Sequence, residues 1–287
     1  MERLLITGGA GSIGRELALS FVTRGYSVVA FDIPVADFSE LEKNGIQAIR
    51  GDITDPESVS AALKDVDIVV HLAAMLPPAS EGNREKTFAV NSLGTKNLVD
   101  AIAANGGRTR LIFSSTVASY GDTTAEVPPV TSTTPQRPNS IYSESKVEAE
   151  GYVLAAGIPY TILRVSGVML AALMDPPAWP FVAEQRVEFV YRADVVGALA
   201  AAVENSEATN KILIIAGGKS WQMFGKEFAA RFLKVLDYPI EDVEYPEAPV
   251  YSDWYDTEEA QRILNYQGTS FERYLEVLEE AIEEALS

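Results

Sequence analysis

The 287-residue sequence predicts an α/β protein built on a doubly wound parallel sheet, with a smaller part appended toward its C-terminus. Three observations predict it. Short, unbroken runs rich in Ile and Val alternate with longer helix-like segments through residues 1–165. A glycine-rich turn joins the first run to the first helix, and an acid ends the second run. Runs that are apolar throughout suit strands covered on both faces, and parallel strands require crossover helices between them.

Taken in order, strands are expected at 4–7, 27–32, 46–50, 68–72, 111–114 and 161–165, with helices at 12–24, 56–63, 85–104 and 141–156. Gly25 follows the first helix where a C-terminal glycine belongs, and Asp55 before Pro56 supplies a cap and a proline at the first helical position. These elements make residues 1–165 a dinucleotide-binding (Rossmann) domain. Residues 166–287 are expected to form mainly a small substrate-binding cap, with some segments returning to the sheet. The stretch 166–188 is apolar and proline-rich, containing PPAW and WPF. After it come a helix at 193–203, a strand at 211–215 and a helix around 223–236. The acidic helix at 270–286 places Leu275, Leu278, Ile282 and Leu286 on one face, as core packing or docking requires.

The net charge of -18 excludes a nucleic-acid partner, because phosphate contacts need a basic face. With no cysteine there is no disulfide, thiol nucleophile or cysteine-ligated metal. The single histidine, His71 in DIVVHLAA, excludes paired-histidine zinc motifs and reads as a satisfied core residue, so no metal site is expected. The N-terminus leaves no room for a signal peptide, and the longest apolar stretch, 195–203, is too short for a bilayer. A cytoplasmic protein without a membrane partner is expected.

TGGAGSIG at 7–14 carries Gly8, Gly11 and Gly14 between the first strand and the first helix. Such glycines let backbone N–H groups approach a pyrophosphate, and the helix dipole favours the anion. In so acidic a chain, local dipoles are the expected way to hold a phosphate. Asp32 ends the second strand where an acid meets ribose hydroxyls, and neither Ile33 nor Pro34 could receive a 2′-phosphate, so the expected cofactor is NAD. GDITD at 51–55 falls where an adenine edge would lie, and Ala73 and Ala74 leave room for a cofactor at the end of the fourth strand.

Tyr142 and Lys146 stand one turn apart, so they share a helix face. A free phenol titrates near pH ~10, and a fixed ammonium beside it lowers that value, which turns a surface pair into a proton-transfer device. Ser114, Ser115 and Thr116 crowd the end of the fifth strand and offer a hydroxyl to hold a substrate oxygen.

With these motifs in order, from TGGAGSIG, FDIP, GDITD, HLAA and VNSLGT to FSSTVASYG, YSESK, LRVSG and YRADV, the chain resembles the extended short-chain dehydrogenase/reductase family, also called the NAD-dependent epimerase/dehydratase family. The resemblance implies Tyr142 as acid/base, Lys146 as ribose anchor and Thr116 as hydroxyl partner, with Ser115 behind it. It implies Gly8, Gly11, Ser12 and Ile13 at the pyrophosphate, Asp32 at the adenosine ribose, and Asp52 and Ile53 at adenine. Leu72, Ala73, Ala74 and Ser114 would line the way to nicotinamide, and Asn91 would be structural. It also implies a homodimer through the helices at 85–104 and 141–156.

Nucleotide-sugar members follow Leu-Arg with proline and a long basic insertion; here Val165 replaces the proline, and only Arg186 and Arg192 are diphosphate candidates in the region that follows. The expected substrate is a small molecule. A (nucleotide-)sugar epimerase or dehydrogenase is the first reading, and a dehydrogenase or reductase of a less polar carbonyl compound the alternative. A dehydratase would want acids where Val117 and Ala118 stand, and a non-catalytic NAD-sensing module would lack the Tyr142–Lys146 pair.

Overall fold

The computed structural model describes residues 2–173, 179–240, 243–247 and 252–287. Seven strands form one sheet in the order β10-β6-β5-β4-β1-β2-β3. They are β1 (Arg3–Thr7), β2 (Ser27–Asp32), β3 (Gln47–Arg50), β4 (Ile68–His71), β5 (Arg110–Thr116), β6 (Tyr160–Val165) and β10 (Lys211–Ile215). β1 pairs in parallel with β2 and β4, so that Leu5 lies opposite Val29 and Val69, and Thr7 opposite Phe31 and His71. β4 continues the register into β5, placing His71 opposite Phe113. Successive strands depart from β1 in both directions, and ligands of such sheets bind beyond the carboxyl ends at that switch point.

The chain divides into two compact units. Unit 1 comprises Met1–Thr116, Pro138–Leu163 and Leu199–Ile212. It carries the helices α1 (Ser12–Thr23), α2 (Ser39–Lys43), α3 (Pro56–Ala62), α4 (Arg84–Phe88), α5 (Gly94–Ala104) and α6 (Ile141–Ala155). One of its cores is largely aliphatic: Leu5, Val29, Val69, Leu111 and Ile162 from strands meet Val59, Leu98, Val99, Ile102 and Val153 from α3, α5 and α6. α3 begins as the sequence implies, with the Asp55 carboxylate accepting from the Glu57 and Ser58 backbone N–H groups ahead of Pro56.

Unit 2 comprises Val117–Arg137, Arg164–Ala198 and Leu213–Ser287. Its main core is aromatic, with Trp179, Phe181, Phe189, Trp221, Phe228, Phe232, Phe271 and Tyr274 packed together. The antiparallel pair β8 (Arg186–Val187) and β11 (Met223–Phe224) and the parallel pair β7 (Val168–Met169) and β9 (Val190–Tyr191) frame it. The flanking helices are α7 (Arg192–Glu204), whose last residues belong to unit 1, α8 (Gly225–Val235), α9 (Glu258–Leu264) and α10 (Phe271–Leu286). Of the apolar stripe on α10, Leu278 is buried, Leu275 and Ile282 pack against the aromatic core, and Leu286 is exposed.

Several expectations change. The chain crosses between the two units five times, with 117–137 joining unit 2 and 199–212 joining unit 1. The helix expected over 85–104 is broken into α4, a π-helical turn at Ala89–Leu93, and α5. The extra residue of a π turn redirects side chains, and such turns gather at functional sites. β5 runs on to Thr116, which brings Ser115 and Thr116 into the strand. Met223 opens β11 rather than the helix that follows it. In the apolar stretch 166–188, residues 174–178 lie outside the described residues, and the flanking Trp179 and Phe181 are core.

Candidate active site

The turn after β1 is shaped by the absence of side chains. Gly8 adopts φ +70°, and a Cβ on it would come within 2.8 Å of the Ala73 backbone nitrogen. A Cβ on Gly14 would stand 2.2 Å from the Gly8 carbonyl oxygen. Gly11 is the N-cap of α1 and offers no side-chain cap, so the N–H groups of the first turn, which Ser12 and Ile13 open, are left for an external acceptor. This is a cradle that a pyrophosphate fits and a methyl group would fill.

Asp32 at the end of β2 holds that turn, its Oδ2 accepting the Ala10 N–H at 3.0 Å and its Oδ1 the Ile33 N–H at 2.8 Å. An arginine absent after Asp32 arrives from α1 instead: Arg15 Nη2 donates to the Ala10 and Asp37 carbonyls, and the guanidinium pairs with Glu40 at 3.5 Å. Asp52, past β3, is turned toward Thr54, accepting its N–H and hydroxyl. The Ile53 side chain is core, and its carbonyl accepts from Asn97.

His71 at the end of β4 is fully enclosed in a chain of bonds whose direction can be read. The Thr95 hydroxyl gives its proton to the Asn91 carbonyl at 2.6 Å, so it accepts from His71 Nε2 at 2.9 Å. Nδ1 is therefore bare and accepts the Thr7 hydroxyl at 2.6 Å, and Thr7 Oγ1 in turn accepts the Ala73 N–H. Burial, and secondly Lys146, hold the imidazole neutral, its pKa down to about 3. The expected satisfied core histidine is thus borne out. Leu72 follows β4 with its N–H on the Thr7 carbonyl, and Ala73 and Ala74 lead on to Met75. Asn91, in the π turn, clamps that segment: it accepts the Met75 N–H, donates to the Met75 carbonyl and donates to Ser145 Oγ on α6.

Tyr142 and Lys146 lie on α6 as expected. Ser140 caps the helix in a reciprocal box with Ser143, and the Glu81 carboxylate accepts the Ile141 and Tyr142 N–H groups, both at 3.0 Å. A carboxylate at a helix N-terminus is favourable by dipole and hydrogen bond together, which fixes the helix start at Ile141 and Tyr142 in its first turn. Lys146 is only 3 % exposed, its Nζ 4.2 Å from the centroid of the Phe113 ring, which stacks on His71. Burial draws its pKa down to about 7, opposed by Glu150. Ser114, Ser115 and Thr116 close β5 beside this lysine-bearing helix; Ser115 and Thr116 are buried, and the Ser115 hydroxyl is given to Glu150.

The strand ends thus bring Gly8, Asp32, Leu72, Ala73 and Thr116 to one edge of unit 1, with Tyr142 and Lys146 on the helix packed beside β5. Sequence reasoning missed Glu81, Glu150, Thr7 and Thr95. Their partners lie 24 to 64 residues away, so no local pattern marks them.

In unit 2, Arg186 is committed to neighbours. Nε donates to Asp253 Oδ1 at 2.5 Å, and Nη2 donates to Asp253 Oδ2 and to the carbonyls of Thr123, Thr124 and Glu126. Beside it, buried Glu188 accepts from the Gly218 and Tyr255 N–H groups and the Gln222 amide, and burial pushes its pKa up to about 7. Among the described residues no acidic or histidine cluster is arranged to hold a metal, and no helix is long and apolar enough to cross a membrane.

Fold and cradle define a dinucleotide-binding α/β protein. Residues 4–175 match the NAD dependent epimerase/dehydratase family, and the chain belongs to it. The chain is 31% identical over 189 residues to a 3 beta-hydroxysteroid dehydrogenase/Delta 5→4-isomerase of Mycobacterium tuberculosis, covering 62% of this chain and 48% of that protein. It is 32% identical over 174 residues to a UDP-glucose 4-epimerase of Streptococcus mutans, covering 58% and 51%. The chain thus spans about half the length of these curated relatives. A short-chain dehydrogenase/reductase superfamily protein from Agrobacterium tumefaciens with bound NAD shares the fold, at TM-score 0.82 and 23% identity over 99% of this chain and 98% of that one.

Proposed function

We propose that this chain is an NAD-dependent oxidoreductase acting at a carbinol or carbonyl carbon. One observation carries the reading: Lys146 is buried against Phe113 one helical turn from Tyr142, on the helix beside the strand that ends in Thr116. NAD, when bound, supplies the hydride acceptor. Gly8, Gly11, Ser12 and Ile13 hold its pyrophosphate, Asp32 its adenosine ribose, and the loop from Asp52 to Ile53 borders its adenine. Leu72, Ala73, Ala74 and Ser114 line the nicotinamide side. Tyr142 takes the proton from the substrate hydroxyl or returns it to the carbonyl, Thr116 holds the same oxygen, and the Lys146 ammonium favours the phenolate. Family membership and the NAD-bound neighbour support this cofactor. A homodimer through the segments at 85–104 and 141–156 is part of the same reading, and Leu93 in the π turn and Leu154 on α6 are exposed there.

For the substrate we favour a less polar hydroxy or keto compound. Arg186, one of the two arginines that the sequence offers for a diphosphate, is held by Asp253 and three carbonyls instead. The likeness to a hydroxysteroid dehydrogenase points the same way. The likeness to a UDP-glucose 4-epimerase keeps a nucleotide sugar as the second reading.

The test is NADH formation from NAD with a 3β-hydroxysteroid and other apolar secondary alcohols, against epimer formation from UDP-glucose. Tyr142→Phe is expected to lower turnover by roughly 10²–10⁴-fold, the usual contribution of a positioned acid/base, with NAD affinity nearly unchanged. Full turnover in that variant refutes the assignment.

A further inference from the structure

α6 buries an unusual face for a helix packed beside a sheet: Ser143, Ser145, Lys146 and Glu150 are all enclosed. Hydroxyls satisfy themselves on the backbone, but a buried carboxyl group requires a reason. Glu150 is 1 % exposed and stands one turn beyond Lys146, so the two share a helix face. Its Oε1 accepts the Ser115 hydroxyl at 2.5 Å, and Ser115 immediately precedes Thr116 at the end of β5. Among the described residues, the other neighbours of Lys146 supply no negative charge: the Phe113 face lies beneath the ammonium, and His71 beyond it is neutral. Tyr142 stands one turn before it. Among the charged groups that bear on Lys146, Glu150 is the one that resists the effect of burial.

We infer that Glu150 is a positioning residue of this site: its buried carboxylate anchors the end of β5 through Ser115 and keeps the Lys146 side chain an ammonium. An ammonium stripped of water and of its carboxylate gives up its proton, and a neutral amine no longer favours the Tyr142 phenolate. The role deepens the reading given above and rests on it for its catalytic consequence. The electrostatic coupling itself is a property of α6 and β5.

The coupling is measured on the full chain without added NAD or substrate, by NMR titration of isotopically labelled lysine side chains. The Lys146 resonance is the one missing from Lys146→Met. In the wild type it is expected to titrate near pH 7, drawn down by burial. In Glu150→Gln, which keeps the size and an acceptor for Ser115, the midpoint is expected at least about one pH unit lower, a tenfold loss of proton affinity. In Ser115→Ala, which keeps the charge, it stays closer to wild type than in Glu150→Gln. An unmoved midpoint in Glu150→Gln, or an equal fall in Ser115→Ala, overturns the inference. Should the Gln variant not fold, Glu150→Asp retracts the carboxylate by one methylene and is expected to lower the midpoint by less; a midpoint at or above the wild-type value overturns it likewise. Turnover surviving in Tyr142→Phe would sink the proposed function while leaving this coupling intact.

Discussion

Unit 1 and unit 2 build their interiors from different materials. In unit 1, Val, Ile and Leu from consecutive parallel strands meet the same residue types on α3, α5 and α6. In unit 2, large rings do the work: Phe228 alone contacts Trp179, Phe181, Phe189, Phe232 and Phe271 as ring pairs. A regular sheet repeats its geometry, so small branched side chains tile it. Short strand pairs and separated helices leave irregular space, which a few wide, flat side chains fill more readily. Each unit thus concentrates its stability differently, spread over many residues in one and gathered on a few in the other.

The sharpest test of that contrast is Phe228→Ala, expected to cost about 3–5 kcal/mol, against Ile162→Val in unit 1 at about 0.5–1.5 kcal/mol. Both are read from denaturant midpoints, and equal losses would break the comparison.

In each unit burial also shifts the titration of an enclosed group, in opposite directions: Glu188 in unit 2 upward and Lys146 in unit 1 downward. The Glu188 pKa is raised from 4.5 to about 7, so between those values the folded chain keeps a proton that the unfolded chain has released. Its contribution makes stability fall as pH rises through that window, by about 3 kcal/mol in all. The Lys146 pKa is lowered from 10.5 to about 7, so from about 7 upward the unfolded chain binds more protons and stability recovers as pH rises. Glu188→Gln should flatten the acid-side slope and Lys146→Met the alkaline one, in thermal melts across pH. Slopes unaltered by either variant would remove this part of the contrast.

The smallest expected effect concerns selectivity within unit 1. Asp32→Ala removes a carboxylate that would repel a 2′-phosphate and leaves Arg15 on the same turn. The ratio of NAD to NADP affinity should fall about tenfold, in keeping with the loss of one hydrogen bond to a charged group. An unchanged ratio in equilibrium titrations would release Asp32 from that role.

What could be read in advance follows the same divide. Strands β1, β2 and β4, the glycine turn, Asp32 and the Tyr142–Lys146 pair rest on patterns confined to a few consecutive residues, and these are legible. The break at Ala89–Leu93 was not, because VNSLGT has ordinary helical composition and the π turn is imposed by what Asn91 and Thr95 bond to. Nor was the excursion of 117–137 into unit 2, whose contacts include Arg186 on Thr123 and Val130 beside Tyr255. Arg186 itself looked available in sequence; only its partner 67 residues on shows that it is occupied.

The π turn has one further consequence. The π turn holds one residue more than a regular turn, so removing one residue between Ala89 and Leu93 would restore a uniform helix and leave Leu98, Val99 and Ile102 facing the core. What would be lost is the placement of Asn91, which clamps Met75 and reaches Ser145 on α6. The irregularity therefore serves the segment after β4 rather than the wall behind it, and a deletion here should disturb that segment more than the helix.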